Sequence, residues 1–329
     1  MPSPRLDIVA IGDAIVDVIA TCDDDFLVAH GLPKGSMRVL DSRQADELYE
    51  AMGPARETSG GSAANTMAGV AALGGRAAFV GQVADDQLGD IFAHDIRALG
   101  VEFHTPPKPD GSPTGRCLIL VTPDAQRTMN TFRGAAHELS VEAIDEAQIR
   151  DSAILYLEAY LWRSAGPRSA MDEAMRIAHD AGRKVAFTLS DIACIAPHRP
   201  EIMAMLESGA IDMLFANEAE IRSLAELDDR DAAIAAICGK VPLLVVTCGA
   251  EGAMAIEGSQ EARVPIARIG KGVIDTTGAG DLFAAGFLVG QARGFGLEHS
   301  LRMGSIAAAE VISHFGARPE ADLKELVGL

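Results

Sequence analysis

The run from Asp275 to Asp281 reads Asp-Thr-Thr-Gly-Ala-Gly-Asp and combines groups that bind an anion with a group that accepts a proton. It leads into the apolar segment 282–287, so we expect it to form the turn before a helix. The first N–H groups of a helix have no partner inside it and carry about half a positive charge. Because Gly278 and Gly280 lack Cβ atoms, a phosphate could approach this backbone closely.

Asp281 stands directly beside this predicted anion site. A carboxylate repels phosphate, but it can take the proton from a hydroxyl group that attacks phosphorus. The pattern therefore favours phosphoryl transfer to an alcohol. The residues alone leave one alternative open, because Asp is also common at an ordinary helix start after a Gly-rich turn.

Two other segments could bind a polar substrate. Gly60 and Gly61 lead into a small-residue helix in which Asn65 lies about one turn from the start, where its amide could bond hydroxyl groups. Asp13 follows the first predicted strand, and its carboxylate could accept two adjacent sugar hydroxyls. A turn into a close-packed helix and a loop acid or helix cap are the structural alternatives.

Composition limits the class of protein. The chain has 329 residues, 48% hydrophobic and 23% charged, as expected of a globular protein with a large core. A formal net charge of −19 argues against binding to nucleic acid or an anionic membrane, so we expect a small-molecule partner. The five cysteines show no metal or disulfide spacing, and no signal segment or apolar run of 18 residues occurs. We therefore expect a cytoplasmic protein.

The pattern along the chain alternates apolar strands with helices, which predicts an α/β fold with a mostly parallel sheet covered on both faces. The segment 21–40 contains Gly and Pro and is expected to hold turns and short strands, and 117–132 reads as a hairpin. No linker divides residues 1–329, so we expect a single domain. Active sites in such sheets lie at the carboxyl ends of the strands.

The run at 275–281 and the Gly-Gly-Ser-Ala-Ala-Asn segment at 60–65 resemble the two signatures of the PfkB/ribokinase family of sugar and nucleoside kinases. The resemblance extends to Gly12-Asp13, to an Asn-x-x-Glu motif at 217–220 and to a Thr-x-Gly-x-x-Gly segment at 247–252. It implies a ribokinase-like three-layer α/β/α sandwich with a small β lid built from about residues 14–40 and 114–133. Family members often pair through the edges of this lid, which suggests a homodimer by analogy.

The resemblance also implies roles for individual residues. The catalytic set would be the base Asp281 with the anion-holding Gly278, Ala279 and Gly280. The substrate set would be Asp13, Gly60, Gly61, Asn65 and Tyr160. The ATP set would be Asn217, Thr247, Gly249, Gly252 and His314, although a structural or surface role explains His314 alone better. Glu220 would hold Mg²⁺ through water, and Asp275 and Thr277 would lie at a K⁺ site.

Arg133, at the end of the predicted hairpin, is a further candidate, either for steadying the transferred phosphate or as a solvated surface residue.

The acceptor is less well defined by the sequence. Phe187-Thr188-Leu189-Ser190 resembles a segment of adenosine kinases, and Tyr160 and Trp162 follow a strand where those enzymes carry an aromatic residue against the base. These features favour a ribonucleoside, although both aromatics could instead close the core, and Asp191 departs from the adenosine-kinase pattern. A sugar kinase for ribose, fructose or a keto-deoxy acid sugar remains the alternative, as does a nucleotide-binding regulator without catalysis.

Overall fold

A computed structural model of the protein describes residues 4–124, 126–268 and 272–329. Its strands, in chain order, are β1 Leu6–Ile11, β2 Ile15–Thr21, β3 Met37–Val39, β4 Arg56–Gly60, β5 Ala77–Val80, β6 Glu102–Phe103, β7 Gly115–Val121, β8 Arg127–Phe132, β9 Ser152–Glu158, β10 Lys184–Thr188, β11 Met213–Asn217, β12 Leu243–Thr247, β13 Ala253–Glu257 and β14 Gln260–Val264. Its α-helices are α1 Asp24–Ala29, α2 Ser42–Ala51, α3 Ser62–Ala72, α4 Gln87–Ala98, α5 Glu146–Arg150, α6 Ala159–Trp162, α7 Ala165–Asp180, α8 Ile192–Glu207, α9 Glu218–Ala225, α10 Arg230–Cys238, α11 Ala279–Ala292, α12 Leu297–Val311 and α13 Leu323–Val327.

The larger sheet has the order β14-β13-β12-β11-β10-β9-β1-β5-β6 across the described residues. All its pairings from β12 to β6 are parallel, and β13 and β14 extend it as an antiparallel edge. The predicted mostly parallel sheet is confirmed. The sequence interpretation missed β13 and β14, which form a short antiparallel extension after the parallel strands. Strand β14 is also largely exposed and carries charged residues, so it lacks the apolar run that marks the buried strands.

Helices cover both faces of this sheet, and successive strand residues point to opposite faces. In β1, Ile8 and Ala10 belong to one hydrophobic core, with α3, α4, α11 and α12. Val9 and Ile11 belong to a second core on the other face, with α5, α7, α8, α9 and α10. This arrangement is the predicted three-layer α/β/α sandwich, and it explains why the strands read as continuous apolar runs.

A second, smaller sheet has the order β3-β8-β7-β2-β4. It takes strands from both segments predicted to form a lid, 14–40 and 114–133, and adds β4 from outside them. The segment 21–40 also differs from its prediction of turns and short strands, because Asp23 caps the helix α1 there by accepting from the amide of Phe26. The hairpin prediction for 117–132 is confirmed by the antiparallel pairing of β7 with β8.

Two helices bring the predicted catalytic and substrate segments together. All residues of α3 from Ala63 to Val70 are buried, as are all those of α11 from Leu282 to Gly290. The helices pack so closely that a Cβ atom at Gly69 would lie 2.7 Å from a methyl carbon of Leu282. Small residues in α3 therefore set the distance between the N-termini of α3 and α11.

Candidate active site

A cavity of about 590 Å³ lies between the two sheets. The large sheet contributes residues at the carboxyl ends of its parallel strands, including Glu158, Thr188 and Asn217, and the small sheet contributes Asp17 and Thr131. This is where open α/β sheets place their ligands. Of the residues predicted for the site, the cavity wall contains Asp13, Gly61, Asn65, Arg133, Tyr160, Asn217, Glu220, Thr247, Thr277, Gly278, Ala279, Gly280 and Asp281.

The start of α11 offers hydrogen-bond donors and open space. Gly278 precedes the helix in the left-handed region, with φ 77°. A Cβ atom at Gly280 would meet no protein atom within 4 Å. Among the described residues, the amides of Gly280 and Asp281 have no acceptor. This combination suits a bound anion, because free amides at a helix N-terminus carry the positive end of the helix dipole.

Asp281 lies in the first turn of α11 and is held from α3. Its Oδ1 accepts a hydrogen bond of 2.7 Å from Ser62 Oγ, and its Oδ2 accepts one of 3.0 Å from Asn65 Nδ2. Burial raises the pKa of Asp281, and the bonds from Ser62 and Asn65 oppose that rise. The carboxylate is therefore fixed in orientation and is a stronger base than an ordinary aspartate.

Glu158 connects three of the segments that surround the cavity. It is fully buried at the end of β9, and its carboxylate accepts 2.7 Å hydrogen bonds from the amides of Asp13 and Ala63. Burial, followed by the charge of Asp13, raises the pKa of Glu158 well above its usual range. The side chain holds the end of β1 against the start of α3, where Gly61 has φ 94° and a Cβ atom would collide with the Asp13 carbonyl.

Charged side chains with few partners occupy one end of the cavity, near Asp13. His137 Nε2 lies 3.3 Å from Asp13 Oδ1, and His137 Nδ1 lies 2.6 Å from Ser164 Oγ. Burial, followed by the charge of Arg163, lowers the pKa of Arg133. Arg133 and Arg163 both line the cavity, and within the described part of the chain neither forms an ion pair or a side-chain hydrogen bond. Arg133 thus lies at the Asp13 end, and we call Asp13, Arg133, His137 and Arg163 the acceptor end.

Tyr160 lines the cavity, and its hydroxyl donates to the carbonyl of Ser190 at 3.3 Å. Ser190 has φ 63°, an uncommon conformation for a residue other than Gly, and it also lines the cavity. Trp162 is buried in the core, edge-on to Phe187 at 6.1 Å between ring centroids. The two aromatic residues therefore have different surroundings, since Tyr160 faces the cavity and Trp162 packs in the core.

Asn217 and Glu220 form a capping box at the start of α9. The Asn217 side chain accepts from the amides of Ala219 and Glu220, and Glu220 accepts from the Asn217 amide at 2.9 Å and from its Nδ2 at 2.7 Å. Burial raises the pKa of Glu220 to about 7. Its carboxylate lines the cavity with oxygen lone pairs to spare, so it fits the role of holding a water of Mg²⁺. The described residues contain no group of three or more metal-ligating side chains, so a nucleotide would have to supply the remaining ligands.

The predicted K⁺ residues do not fit a cation. Oδ1 of Asp275 accepts from the amide and hydroxyl of Thr277, at 3.1 and 2.8 Å. Its Oδ2 accepts from the amide of Gly316 at 2.9 Å and pairs with Arg127 at 2.6 Å. Arg127 also donates to Thr277 Oγ1 at 2.9 Å. A guanidinium therefore already neutralises this carboxylate.

Five predicted residues do not line the described cavity: Gly60, Gly249, Gly252, Asp275 and His314. Gly249 begins a short 3₁₀ turn after β12 and Gly252 ends it, and His314 lies 3.2 Å from the buried Glu310. Gly60 ends β4, where a Cβ atom would collide with the carboxyl group of Asp17.

A family model for pfkB family carbohydrate kinase matches residues 5–323. The chain belongs to this family. Solved structures similar to it include a probable sugar kinase protein of Rhizobium etli, 44% identical, with TM-score 0.92 over 99% of this chain and 98% of that one. The adenosine kinase of Sinorhizobium meliloti is 46% identical, with TM-score 0.91 over 98% of each chain. The 5-dehydro-2-deoxygluconokinase of Halalkalibacterium halodurans is 30% identical and is matched over 77% of this chain and 79% of its own length.

This pfkB kinase is therefore an enzyme that transfers phosphate to the hydroxyl group of a sugar or nucleoside, and its fold is ribokinase-like, as the sequence predicted. No helix of the described residues has the length and apolar character to cross a bilayer.

Sequence reasoning missed four side chains of this kinase's cavity region: Asp17, Ser62, Arg127 and Glu158. Burial raises the pKa of Asp17 to about 6 despite the charges of Arg318 and Arg127. Successive side chains of β2 alternate in direction, and Ile15 and Asp17 both face the cavity. This period of two could have been read from the sequence. Arg127 gave no such signal, because its contact with Asp275 joins residues about 150 positions apart.

Proposed function

We propose that the protein is an ATP-dependent kinase that phosphorylates the primary hydroxyl of an adenosine-like ribonucleoside, with Asp281 as general base. One observation carries the reaction: a hydrogen-bonded carboxylate with a raised pKa stands at a helix N-terminus whose amides are free. A base and an anion hole in one turn of helix are the two groups that phosphoryl transfer to an alcohol needs.

In this mechanism Asp281 accepts the proton of the attacking hydroxyl. Ser62 and Asn65 keep its carboxylate directed into the cavity while the proton moves. The amides of Gly280 and Asp281 donate hydrogen bonds to the oxygens of the transferred phosphoryl group, where negative charge collects in the transition state. Mg²⁺ bound with the nucleotide would neutralise phosphate charge, and Glu220 would hold one of its waters.

The small sheet would act as a lid over the bound substrates. Its strands β2, β7 and β8 place Asp17, Cys117 and Met129 on the cavity wall opposite the large sheet. Closure over the cavity would exclude water, which would otherwise compete with the acceptor for the phosphoryl group.

Two features support a nucleoside acceptor. Tyr160 offers a ring to the cavity and is held by its hydrogen bond to the strained Ser190. Stacking of a base on an aromatic ring contributes roughly 1–3 kcal/mol. The relative from Sinorhizobium meliloti, matched over 98% of both chains, carries the name adenosine kinase.

An acidic sugar is the second candidate, and the acceptor end supports it. Arg133 and Arg163 both line the cavity, and the described residues supply no carboxylate within ion-pair distance of either. Two unpaired guanidinium groups suit a carboxylate on the acceptor. The relative from Halalkalibacterium halodurans is named for such an acidic sugar.

The deciding experiment is an ATP-consumption assay with Mg²⁺ against adenosine, guanosine, inosine, cytidine, ribose, fructose and 2-keto-3-deoxygluconate. We expect the highest kcat/KM for a nucleoside, with a 5′-phosphate product. A preference for the keto-deoxy acid would instead select the second candidate and leave the role of Asp281 standing. Nucleotide binding without any phosphorylated product across the panel would contradict both and indicate a regulator.

A further inference from the structure

Arg127 connects the small sheet to the loop that precedes α11. It begins strand β8 of the small sheet, and its side chain is only 10% exposed. One terminal nitrogen pairs with Asp275 Oδ2 at 2.6 Å, and the other donates to Thr277 Oγ1 at 2.9 Å. Both acceptors belong to the loop that leads into Gly278 and α11.

The oxygens of Asp275 have no capacity left for a metal ion. A carboxylate offers about four acceptor positions, and Asp275 uses four, from the Thr277 amide, the Thr277 hydroxyl, the Gly316 amide and Arg127. A neighbouring carbonyl, that of Ile312, accepts from the amides of Ile274 and Asp275 at 2.8 and 3.3 Å.

The charge at this position is also balanced. The carboxyl group of Asp275 is 7% exposed, and a buried carboxylate requires a partner of opposite charge. Arg127 supplies that partner, so a monovalent cation bound to the same oxygens would add a second positive charge beside a guanidinium. The two would therefore compete.

We infer that Arg127 takes the place of a monovalent cation at Asp275 and Thr277, so that the phosphate-binding loop is organised by the small sheet and not by K⁺. The loop before α11 then has its working conformation only when β8 lies over the cavity. This inference goes beyond the proposed acceptor, because its main readout is the stability of the protein without substrates.

The first experiment measures thermal unfolding of the protein in KCl, NaCl and tetramethylammonium chloride at equal ionic strength. We expect the same Tm in all three salts, because no cation binds the native state specifically. We also expect Arg127→Met to lower the Tm and to recover part of the loss in K⁺ but not in tetramethylammonium, since the vacated oxygens become available. A K⁺-specific rise in the Tm of the wild type would overturn the inference. If the Tm of Arg127→Met does not depend on K⁺, the guanidinium group and the cation do not compete for the same oxygens, and the inference is overturned.

A double-mutant cycle keeps the test independent of cations. Arg127→Met and Asp275→Asn are compared singly and together by denaturant unfolding, and we expect the double variant to lose less than the sum of the single losses. Lys34 and Asp124, an exposed pair at 2.8 Å, provide the matched control through Lys34→Met and Asp124→Asn, for which we expect near-additive effects. Additive losses for Arg127 and Asp275 would show that the contact does not organise the loop.

Kinase assays in KCl and tetramethylammonium chloride provide a third test. We expect equal rates in the two salts, whichever acceptor the protein uses, and a K⁺-dependent rate would count against the inference.

Discussion

The two ends of the cavity differ in how completely their charged groups are paired. At the phosphate end, Asp281 has hydrogen bonds from Ser62 and Asn65, and Asp275 has four donors including Arg127. At the acceptor end, the described residues give Arg133 and Arg163 no ion pair, and Asp13 Oδ1 lies 3.3 Å from His137 Nε2 without forming a hydrogen bond. The first end is organised before any ligand binds, whereas the second has polar groups that a ligand would satisfy.

This difference explains why the reaction is easier to assign than the acceptor. A catalytic group works best when its orientation is fixed in advance, so its supporting bonds are visible in the protein alone. A recognition group keeps its hydrogen-bonding capacity for the ligand, and an unpaired arginine is compatible with a carboxylate or with the polar edge of a base.

The strongest test of the phosphate end is Asp281→Asn. We expect kcat to fall by about 10²–10⁴-fold, because the amide cannot accept the proton in the transition state. Thermal unfolding should show a folded variant, since the amide oxygen can still accept from Ser62 or Asn65. Asp90→Asn, on the exposed side of α4, is the matched control and should leave kcat unchanged. Near-normal turnover of the Asp281 variant would exclude it as the base.

The second test measures how the stability of the protein depends on the ionisation of Glu220. Its folded-state pKa of about 7 exceeds the ordinary value of 4.5, so the native state binds the proton more tightly than the unfolded state does. The stabilisation is complete below pH 4.5 and is lost as the pH rises through 7. A Glu220→Gln variant stays neutral and keeps the capping box. Its free energy of unfolding relative to the wild type should therefore increase between pH 5 and 8 by up to about 3 kcal/mol, and its relative Tm should rise accordingly.

The control for this titration is Glu47→Gln, at a side chain that is 62% exposed. Both pairs of proteins are unfolded without nucleotide or metal over the same pH range. A constant difference between Glu220→Gln and the wild type would mean that the carboxyl group titrates as in the unfolded chain. At high pH the wild type should nevertheless bind MgATP more tightly than the variant, because the ionised carboxylate can hold a metal-bound water.

The acceptor end is tested by Arg163→Ala. If the acceptor carries a carboxylate, losing a charged hydrogen bond of about 1.5–3 kcal/mol should raise its KM by roughly 10–150-fold. For adenosine, which our proposal favours, we expect a smaller rise in KM and an unchanged kcat. Steady-state kinetics with both acceptors separate the two results. Arg168→Ala, whose guanidinium packs over the buried Trp162 outside the cavity, is the control. An equal loss for both acceptors would mean that Arg163 does not discriminate between them.

The sequence predicted the elements whose signals are local. The turn and helix at 275–287 and the parallel strands could be read from glycines, caps and apolar runs. Strand β4 lies within 56–60, where a single turn signal at Gly60 and Gly61 hid a short polar strand that pairs with β2. Helix α1 was missed because its cap, Asp23, stands in a run of three aspartates that resembles a polar loop.

The contacts of the site were harder to predict, because they join distant segments. Ser62 and Asp281 are separated by 219 positions, and Glu158 and Asp13 by 145. No periodicity within one segment reports such a pair. The position of Arg133 illustrates the same limit: the hairpin that carries it was predicted, but not that the start of β8 places Arg127 at the phosphate end while Arg133, after its last residue, lies at the acceptor end.

The smallest expected effect, and the finest test of a pre-organised phosphate end, comes from Ser62→Ala. Loss of the hydroxyl removes one of the two bonds that lower the pKa of Asp281, so that pKa should rise and the acidic limb of the kcat profile should move to higher pH. A net hydrogen bond of about 1 kcal/mol predicts a fall in kcat of roughly fivefold at neutral pH. Ser169→Ala, on the exposed side of α7, should alter neither the rate nor the profile. If Ser62 merely packed the helix start, its loss would lower stability and leave the acidic limb in place, and the contrast between the two ends of the cavity would then rest on Asn65 alone.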